Sequence, residues 1–227
     1  MNYAFIPARG GSKGLPRKNA KLFLGEPLVV RTIRIAKEAE IFNAIIVNTD
    51  DEEIAALATE AGASVVSREP SMGSDAAEVD PLIKWTINEY ASSFPGLDDS
   101  LMCLLYCTSP LRTSADIVAT LELVRSGGYD SSLTLCETND YLWSKNENTF
   151  SPENYDPRAR AARQLESWNQ YKENKAVYCF NARRMMASNC RLYGRIGAHL
   201  MPSTRSIDID KLEDFEVAEA IEARENS

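Results

Sequence analysis

The sequence of 227 residues predicts an α/β fold with a doubly wound, mostly parallel sheet. Short apolar runs alternate with segments of helical periodicity early in the chain, in the order strand, helix, strand, helix, strand. A basic, glycine-rich loop follows the first apolar run, at the end of a strand where sheets of this kind bind ligands. The length suits one domain over residues 1–227, with residues 137–174 as an excursion that lacks the regular alternation.

Each element is predicted from the spacing of its apolar residues and from the residues that cap or end it. Strands are expected at 3–6, 44–49, 63–67, 101–106, 130–136, 176–181 and 196–201. Helices are expected at 28–40, from the caps Asp50 and Asp51 to Gly62, from a cap at Ser74 or Asp75 to about Ala91, at 115–125 and at 211–224. The alternation therefore extends along the whole chain and is interrupted only by the excursion.

The loop of residues 6–19 has the composition of an anion-binding site. Its glycines are expected to adopt positive φ and approach a ligand closely, while backbone amides and basic side chains supply donors and positive charge. The glycines are Gly10, Gly11 and Gly14, and the basic residues are Arg9, Lys13, Arg17 and Lys18. The spacing matches neither the Walker A motif nor the dinucleotide-binding motif. The predicted ligand is a polyphosphate, and the alternative is a solvated basic loop.

A second candidate site lies near the end of the chain, in the run Ser206-Ile-Asp-Ile-Asp210. Residues two apart in an extended segment point to the same side, so Asp208 and Asp210 are expected to project together. Two adjacent carboxylates repel each other unless a cation lies between them, and Mg²⁺ binds through one or two carboxylates plus substrate phosphates. The pair therefore predicts a Mg²⁺ site. The alternative for Asp210 is a cap of the last helix.

Composition and charge exclude several classes of partner. The formal net charge of −8 argues against nucleic acid or an anionic membrane surface. No charged leader and no apolar run of membrane-spanning length are visible, so a cytosolic location is expected. The five cysteines form no CxxC pair and are expected to be free thiols.

Three motifs resemble those of the acylneuraminate cytidylyltransferases, also called CMP-sialic acid synthetases. They are the loop Ile6-Pro-Ala-Arg-Gly-Gly-Ser-Lys-Gly-Leu-Pro-Arg-Lys-Asn19, the run Thr108-Ser-Pro-Leu-Arg112, and Ser206-Ile-Asp-Ile-Asp210. The resemblance implies a Rossmann-like nucleotidyltransferase fold whose substrates are CTP and a nine-carbon keto sugar acid. It also implies Mg²⁺ as cofactor and a homodimer in which the excursion reaches the neighbouring subunit. The alternative for the excursion is a mobile surface flap.

The resemblance also implies a role for individual residues. Catalytic roles fall on Arg9, Lys13, Asp208 and Asp210, with Lys13 near the α-phosphate and the two aspartates as metal ligands. Nucleotide contacts fall on Ala8, Gly10, Gly11, Ser12, Asn19, Arg68 and Ser74. Substrate contacts fall on Tyr106, Thr108, Arg112, Arg163, Gln164 and Asn174. For Arg112, structural ion pairing is an equal alternative.

Three positions depart from the pattern of the resembled family. Tyr106 and Cys107 stand where relatives have Gln-Pro, and Lys175 stands where they have Gly. The added side chain of Lys175 predicts a sugar pocket that is smaller or more positive. Two alternatives therefore stay open. The chain could act on another sugar acid or another nucleoside triphosphate, or it could bind a nucleotide without catalysis.

Overall fold

A computed structural model describes residues 1–11, 14–68, 78–159 and 169–225 of the chain. Its strands are β1 (Asn2–Pro7), β2 (Leu22–Phe23), β3 (Glu26–Pro27), β4 (Ala44–Thr49), β5 (Ser64–Ser67), β6 (Leu101–Leu104), β7 (Ser131–Glu137), β8 (Trp143–Asn146), β9 (Thr149–Pro152), β10 (Tyr171–Asn181) and β11 (Ile196–Leu200). Its helices are α1 (Leu28–Glu38), α2 (Glu52–Glu60), α3 (Val79–Tyr90), α4 (Ser114–Arg125), α5 (Ala182–Ser188) and α6 (Leu212–Glu225).

Within these ranges, seven strands form one sheet in the order β11-β7-β10-β6-β1-β4-β5. β1 lies in the interior of the sheet and pairs in parallel with β4 on one side and β6 on the other. Only β10 runs antiparallel to its two neighbours, β6 and β7. The predicted mostly parallel sheet is therefore confirmed, and the carboxyl ends of β1, β4, β5 and β6 lie along one edge.

Helices cover both faces of the sheet, as the side chains of β1 show. Ala4 and Ile6 point to one face and Tyr3 and Phe5 to the other, because successive side chains of a strand alternate. Helices α1, α2, α4 and α6 pack on the first face and α3 and α5 on the second, through Ile33, Ile54, Ile117, Phe215, Ile83 and Met185. Each large apolar side chain that is fully buried in these layers contributes about 1.5–3 kcal/mol.

Two predicted helix starts have different outcomes. Asp51 caps α2, because its Oδ1 accepts a hydrogen bond of 3.0 Å from the amide of Ile54. The predicted cap of α3 at Ser74 or Asp75 is wrong, because the helix begins only at Val79, with Glu78 as its N-cap residue. Ser74 and Asp75 lie outside the described residues.

The excursion contains regular structure that the sequence did not indicate. β8 and β9 form an antiparallel hairpin, and the polar start of β10, from Tyr171, already pairs with β7. Trp143 and Phe150 of the hairpin are 50% and 64% exposed. The register of β10 against β7 shifts between Glu173 and Tyr178, which marks an irregularity in the strand beside the candidate site.

No helix in the described part of the chain is long and apolar enough to cross a membrane. All five cysteines are free, as predicted, and four of them are buried.

Candidate active site

The candidate site lies where the carboxyl ends of the parallel strands meet. The loop after β1 lies beside Asp50 and Asp51, which follow β4, and beside Arg68, which follows β5. The segment 206–210 joins the same edge, because the amide of Ile209 donates a 2.8 Å hydrogen bond to the carbonyl of Thr108 after β6. The topology of the sheet therefore brings together residues that are far apart in the sequence.

Hydrogen bonds from the first half of the basic loop to the end of β4, and from the last residue of the loop, Asn19, fix its position. The amide of Ala8 donates to the carbonyl of Asn48 at 2.9 Å, and the amide of Gly10 donates to Oδ1 of Asp50 at 3.0 Å. Asn19 is 6% exposed, and its Nδ2 donates to the carbonyl of Arg9 at 2.9 Å. Asn19 therefore closes the loop from within, in addition to its predicted contact with a nucleotide.

The predicted positive φ of the loop glycines is wrong for Gly10, Gly11 and Gly14. Two of them serve close approach instead. A Cβ on Gly10 would lie 2.4 Å from Oδ2 of Asp51, and a Cβ on Gly14 would lie 2.4 Å from the carbonyl oxygen of Asp210. The left-handed residue of this loop is Arg17, with φ 52°.

Two of the basic side chains predicted to bind an anion form ion pairs within the protein. Arg17 pairs with Asp51 at 3.1 Å and also with Glu53. Lys18 donates to the carbonyl of Ile209 at 2.5 Å, and its Nζ lies 3.3 Å from Oδ1 of Asp210. These two residues therefore attach the loop to α2 on one side and to the aspartate segment on the other.

Arg68 is 8% exposed and lies behind the basic loop. Burial lowers the pKa of its guanidinium, the carboxylate of Asp50 opposes that change, and the positive charge of Arg9 adds to it. Its Nη2 donates to the carbonyl of Asn48 at 2.6 Å. Among the described residues, neither its Nε nor Oδ1 of Asn48 has a hydrogen-bond partner. Arg68 and Arg9 therefore concentrate positive charge at one edge of the loop.

Asp208 and Asp210 come together as predicted, and the ammonium of Lys175 reaches both. Nζ of Lys175 lies 2.5 Å from Oδ2 of Asp208 and 4.0 Å from Oδ2 of Asp210. Between them Ile209 is fully buried and anchors the segment in the core. The hydrogen bond to Asp208 raises the pKa of Lys175.

This arrangement is compatible with Mg²⁺. No group of three or more His, Cys, Asp or Glu side chains in the described ranges is arranged to hold a metal ion alone. A pair of carboxylates is sufficient when substrate phosphates supply further ligands. The ammonium of Lys175, which contacts both Asp208 and Asp210, is a stand-in for such a cation.

The capping alternative for Asp210 is wrong. At the start of α6, the carboxylate of Asp214 accepts hydrogen bonds from the amides of Asp210 and Lys211, at 3.0 and 2.9 Å. The side chain of Asp210 instead approaches Lys18 and Lys175. Both aspartates are thus directed to the site.

Tyr106 interacts electrostatically with Asp208 and with the charged side chains of Arg191, Asp80 and Glu173. Burial raises the pKa of its hydroxyl to about 12, and the carboxylates of Asp80, Asp208 and Glu173 add to the increase. Its ring meets that of Tyr178 edge to face, with centroids 6.2 Å apart. Tyr106 therefore presents a neutral phenol within electrostatic range of Asp208.

Arg112 is 1% exposed, so in this structure it is an interior residue. Its Nη1 donates to the carbonyls of Tyr106 and Ala176, at 3.0 and 2.6 Å. Burial lowers its pKa to about 10. Arg112 therefore joins the end of β6 to β10 through backbone carbonyls, and its contact with substrate stays a prediction.

Asn174 is also buried, at 2% exposure. Its Oδ1 accepts from Oγ1 of Thr134 at 2.6 Å and from the amide of Ala176 at 3.2 Å. Its Nδ2 donates to Oγ of Ser206 at 3.0 Å. Asn174 thus braces the irregular part of β10 against the aspartate segment, and the predicted contact with a sugar stays a prediction.

Five predicted site residues lie outside the described residues. They are Ser12, Lys13, Ser74, Arg163 and Gln164.

Sequence reasoning missed the contacts that support the site. Asp50 and Asp51 were predicted only as helix caps, yet they also hold Gly10 and Arg17 of the basic loop. Their position directly after β4, the neighbour of β1, was an available signal, since adjacent parallel strands end side by side. The pairing of Lys175 with Asp208 had no local signal, because the two residues lie on different segments.

Comparison with known proteins shows that almost the whole chain matches cytidylyltransferases, as the three sequence motifs predict. The cytidylyltransferase family model matches residues 3–225. N-acylneuraminate cytidylyltransferase A of Danio rerio is 33% identical over 222 residues, which cover 95% of this chain and 49% of that protein. N-acylneuraminate cytidylyltransferase of Escherichia coli O18:K1:H7 is 30% identical over 231 residues, which cover 98% of this chain and 52% of that protein. The chain spans about half the length of these curated relatives.

Solved structures confirm the fold. A CMP:2-keto-3-deoxy-manno-octonic acid synthetase complexed with CTP superimposes with a TM-score of 0.71 at 17% identity and covers 99% of both chains. A 4-diphosphocytidyl-2C-methyl-D-erythritol synthase superimposes with a TM-score of 0.69 at 11% identity and covers 97% of both chains. The three motifs, the mostly parallel sheet and the family match agree, and this chain belongs to the cytidylyltransferase family.

Proposed function

We propose that the chain transfers CMP from CTP to the anomeric 2-hydroxyl of a sialic-acid-like 2-keto-3-deoxy sugar acid and releases pyrophosphate. The observation that carries the proposal is the contact between the basic loop and the aspartate segment. Lys18 lies 3.3 Å from Asp210, and Gly14 lies against the carbonyl of that residue. This contact supports the proposal, because it brings the loop that would bind the triphosphate next to the carboxylates that would hold a cation.

In the proposed reaction, the hydroxyl oxygen of the sugar acid attacks the α-phosphorus of CTP, and the bond to the β-phosphate breaks. The backbone amides of the loop, with Arg9 and Lys13, bind the triphosphate and neutralise charge on the departing pyrophosphate. Such catalysis rests on positioning and electrostatic stabilisation. Asp208 and Asp210 would hold Mg²⁺, which neutralises phosphate charge and acidifies the attacking hydroxyl when bound.

Two features bear on the identity of the sugar acid. Tyr106 and Lys175 both differ from the pattern of the resembled family; Lys175 contacts Asp208, and Tyr106 interacts with it electrostatically. A phenol and an ammonium change the shape and charge of that side of the site. A nine-carbon keto acid other than N-acetylneuraminate is therefore a second candidate substrate.

The proposal includes a homodimer, which the exposed aromatic residues of the hairpin β8–β9 support. The predicted cytosolic location stays a prediction of the sequence.

The test is release of pyrophosphate from each of the four nucleoside triphosphates, with Mg²⁺ and a panel of keto acids. The panel contains N-acetylneuraminate, its deaminated analogue, legionaminate and pseudaminate. We expect release with CTP and one of these acids, and at least about 10²-fold slower release with the Asp208→Asn variant. Binding of CTP without release for any acid would favour a nucleotide-binding protein without catalysis. Release with another triphosphate would contradict the assignment of CTP.

A further inference from the structure

Lys175 occupies an unusual place in the backbone. It lies in the irregular part of β10 with φ 58°, a left-handed conformation that costs a residue with a Cβ about 1–2 kcal/mol. The buried neighbours on either side, Asn174 and Ala176, hold this conformation, since the amide of Ala176 donates to Oδ1 of Asn174 at 3.2 Å. The backbone therefore turns Asn174 inward, while the side chain of Lys175 reaches Asp208.

The ammonium of Lys175 is the displaceable cation at the aspartate pair. The side chain of Lys175 is 50% exposed, so it keeps contact with water and can be hydrated when it leaves Asp208. Lys18, the other lysine at the pair within the described ranges, is 12% exposed and also donates to the carbonyl of Ile209. A cation that enters between the carboxylates would therefore displace Lys175 and leave Lys18 in place.

We propose that Lys175 is a positioning residue that holds Asp208 and Asp210 together and competes with a divalent cation for them. This inference rests on the metal role in the proposed function. In this competition, the apparent association constant for the cation equals its intrinsic value multiplied by the fraction of molecules in which the carboxylates are free of Lys175.

The chain offers a matched set of variants. Lys175→Met and Lys175→Asn remove the charge, and asparagine also tolerates the left-handed conformation. Lys175→Arg keeps the charge and the ion pair. Lys172→Met is the control for net charge, because Lys172 lies on the same strand, is 54% exposed and pairs with Asp140 at 3.8 Å.

The experiment is a titration of the full chain with Mn²⁺ in the absence of nucleotide, in which electron paramagnetic resonance measures free Mn²⁺. We expect Lys175→Met and Lys175→Asn to bind Mn²⁺ about fivefold more tightly than the parent, the order of one exposed ion pair. Lys175→Arg and Lys172→Met should bind as the parent does.

The outcomes separate this inference from the proposed function. Equal or weaker binding by both neutral variants of Lys175 would overturn the competition and leave the metal pair intact. The same gain in Lys172→Met would reduce the effect to net charge and also overturn it. Absence of Mn²⁺ binding in the parent and in all variants would also overturn the competition, because no cation then replaces Lys175 without substrate phosphates. Unchanged binding in Asp208→Asn would overturn the metal pair itself.

Discussion

Gly10 and Gly11 are neighbours in the basic loop, but they differ in the space around them. A Cβ on Gly10 would lie 2.4 Å from Oδ2 and 2.8 Å from Cβ of Asp51, whereas a Cβ on Gly11 would meet nothing within 4 Å. We expect Gly10→Ala to lower the free energy of unfolding by about 1–3 kcal/mol, because the loop or the start of α2 must move. Urea denaturation measures this change.

The matched control is Gly11→Ala, whose free energy of unfolding should stay within about 0.5 kcal/mol of the parent. Equal stability of the two variants would show that the close approach of Gly10 to Asp51 is not needed.

Asp208 is the better buried of the two aspartates, with its side chain 18% exposed against 65% for Asp210. We expect Asp208→Asn to reduce Mg²⁺-dependent release of pyrophosphate by at least about 10²-fold, the loss typical of one electrostatic contact in a transition state. Steady-state assays over a range of Mg²⁺ concentrations measure this loss. Full activity at any Mg²⁺ concentration would remove Asp208 from the site.

At the scale of residues, the sequence could predict which side chains gather but not how the backbone presents them. The pairing of Asp208 and Asp210 follows from a spacing of two residues, and it is confirmed. The left-handed conformations of Arg17 and Lys175 could not be predicted, because these residue types disfavour them and the ion pairs of both side chains are with residues far along the chain. For the same reason, the inward turn of Asn174 was not foreseen.

At the scale of elements, Asp116 links the start of α4 to β11 and to the segment before Asp208. It is 2% exposed, accepts from Nη1 of Arg205 at 2.5 Å and lies 3.0 Å from Nε2 of His199. Burial alone would raise the pKa of this carboxyl, but hydrogen bonds, first that of Arg205 and then those of Thr113, lower it to about 2. The charged carboxylate is therefore stabilised in the folded state.

Asp116→Asn should lower the free energy of unfolding at pH 7 by about 3 kcal/mol, because it leaves buried donors without their charged partner. The contribution of Asp116 is complete above the ordinary value of 3.8 and is lost as the pH falls towards 2. The difference in free energy of unfolding between parent and variant should thus become smaller below about pH 4, by up to about 1.4 kcal/mol per pH unit. Urea denaturation at pH 7, 5, 3.5 and 3 measures it.

Asp98→Asn is the control, since Asp98 is exposed in the short 3₁₀ helix Leu97–Asp99, and it should change the free energy of unfolding little at any of these pH values. If the loss of unfolding free energy in Asp116→Asn stayed constant down to pH 3, the lowered pKa of the Asp116 carboxyl would be contradicted.

Strands could be predicted from the sequence where both of their faces are buried, and could not be predicted where their side chains are exposed. β4 was predicted at residues 44–49 and is found there, because five of its six side chains are buried and its apolar run is continuous. The first three residues of β10 are exposed and two of them are charged, so their pairing with β7 leaves no apolar alternation in the sequence. The hairpin β8–β9 could not be predicted either, because most of its side chains are also exposed.

At the scale of the whole molecule, the hairpin β8–β9 presents apolar side chains to water. Trp143 is 50% exposed and Phe150 is 64% exposed, which is typical of a surface that a partner covers. We expect Phe150→Asp to convert a dimer to a monomer in sedimentation velocity. Val217→Asp, on the exposed face of α6 at 51% exposure, should remain dimeric. A parent chain that sediments as a monomer would refute the homodimer.

The distribution of the thiols gives a second test of the whole fold. Cys190 is exposed, and the other four cysteines are buried. We expect a thiol-specific dye to label one cysteine per native chain rapidly and all five after denaturation. The Cys190→Ser variant should lose the rapid phase. Rapid labelling of two or more native thiols would contradict the packing of the sheet.

The contact between Lys18 and Asp210 joins residues that are 192 positions apart. Closing a loop of this length costs entropy, so we expect the contact to form late in folding. The basic loop lies between the first two strands, whereas Asp210 follows the last described strand. A partly folded chain in which the segment of Asp210 has not docked therefore lacks this contact, and a ligand that needs both sides of the contact would stabilise the fully folded chain over such intermediates.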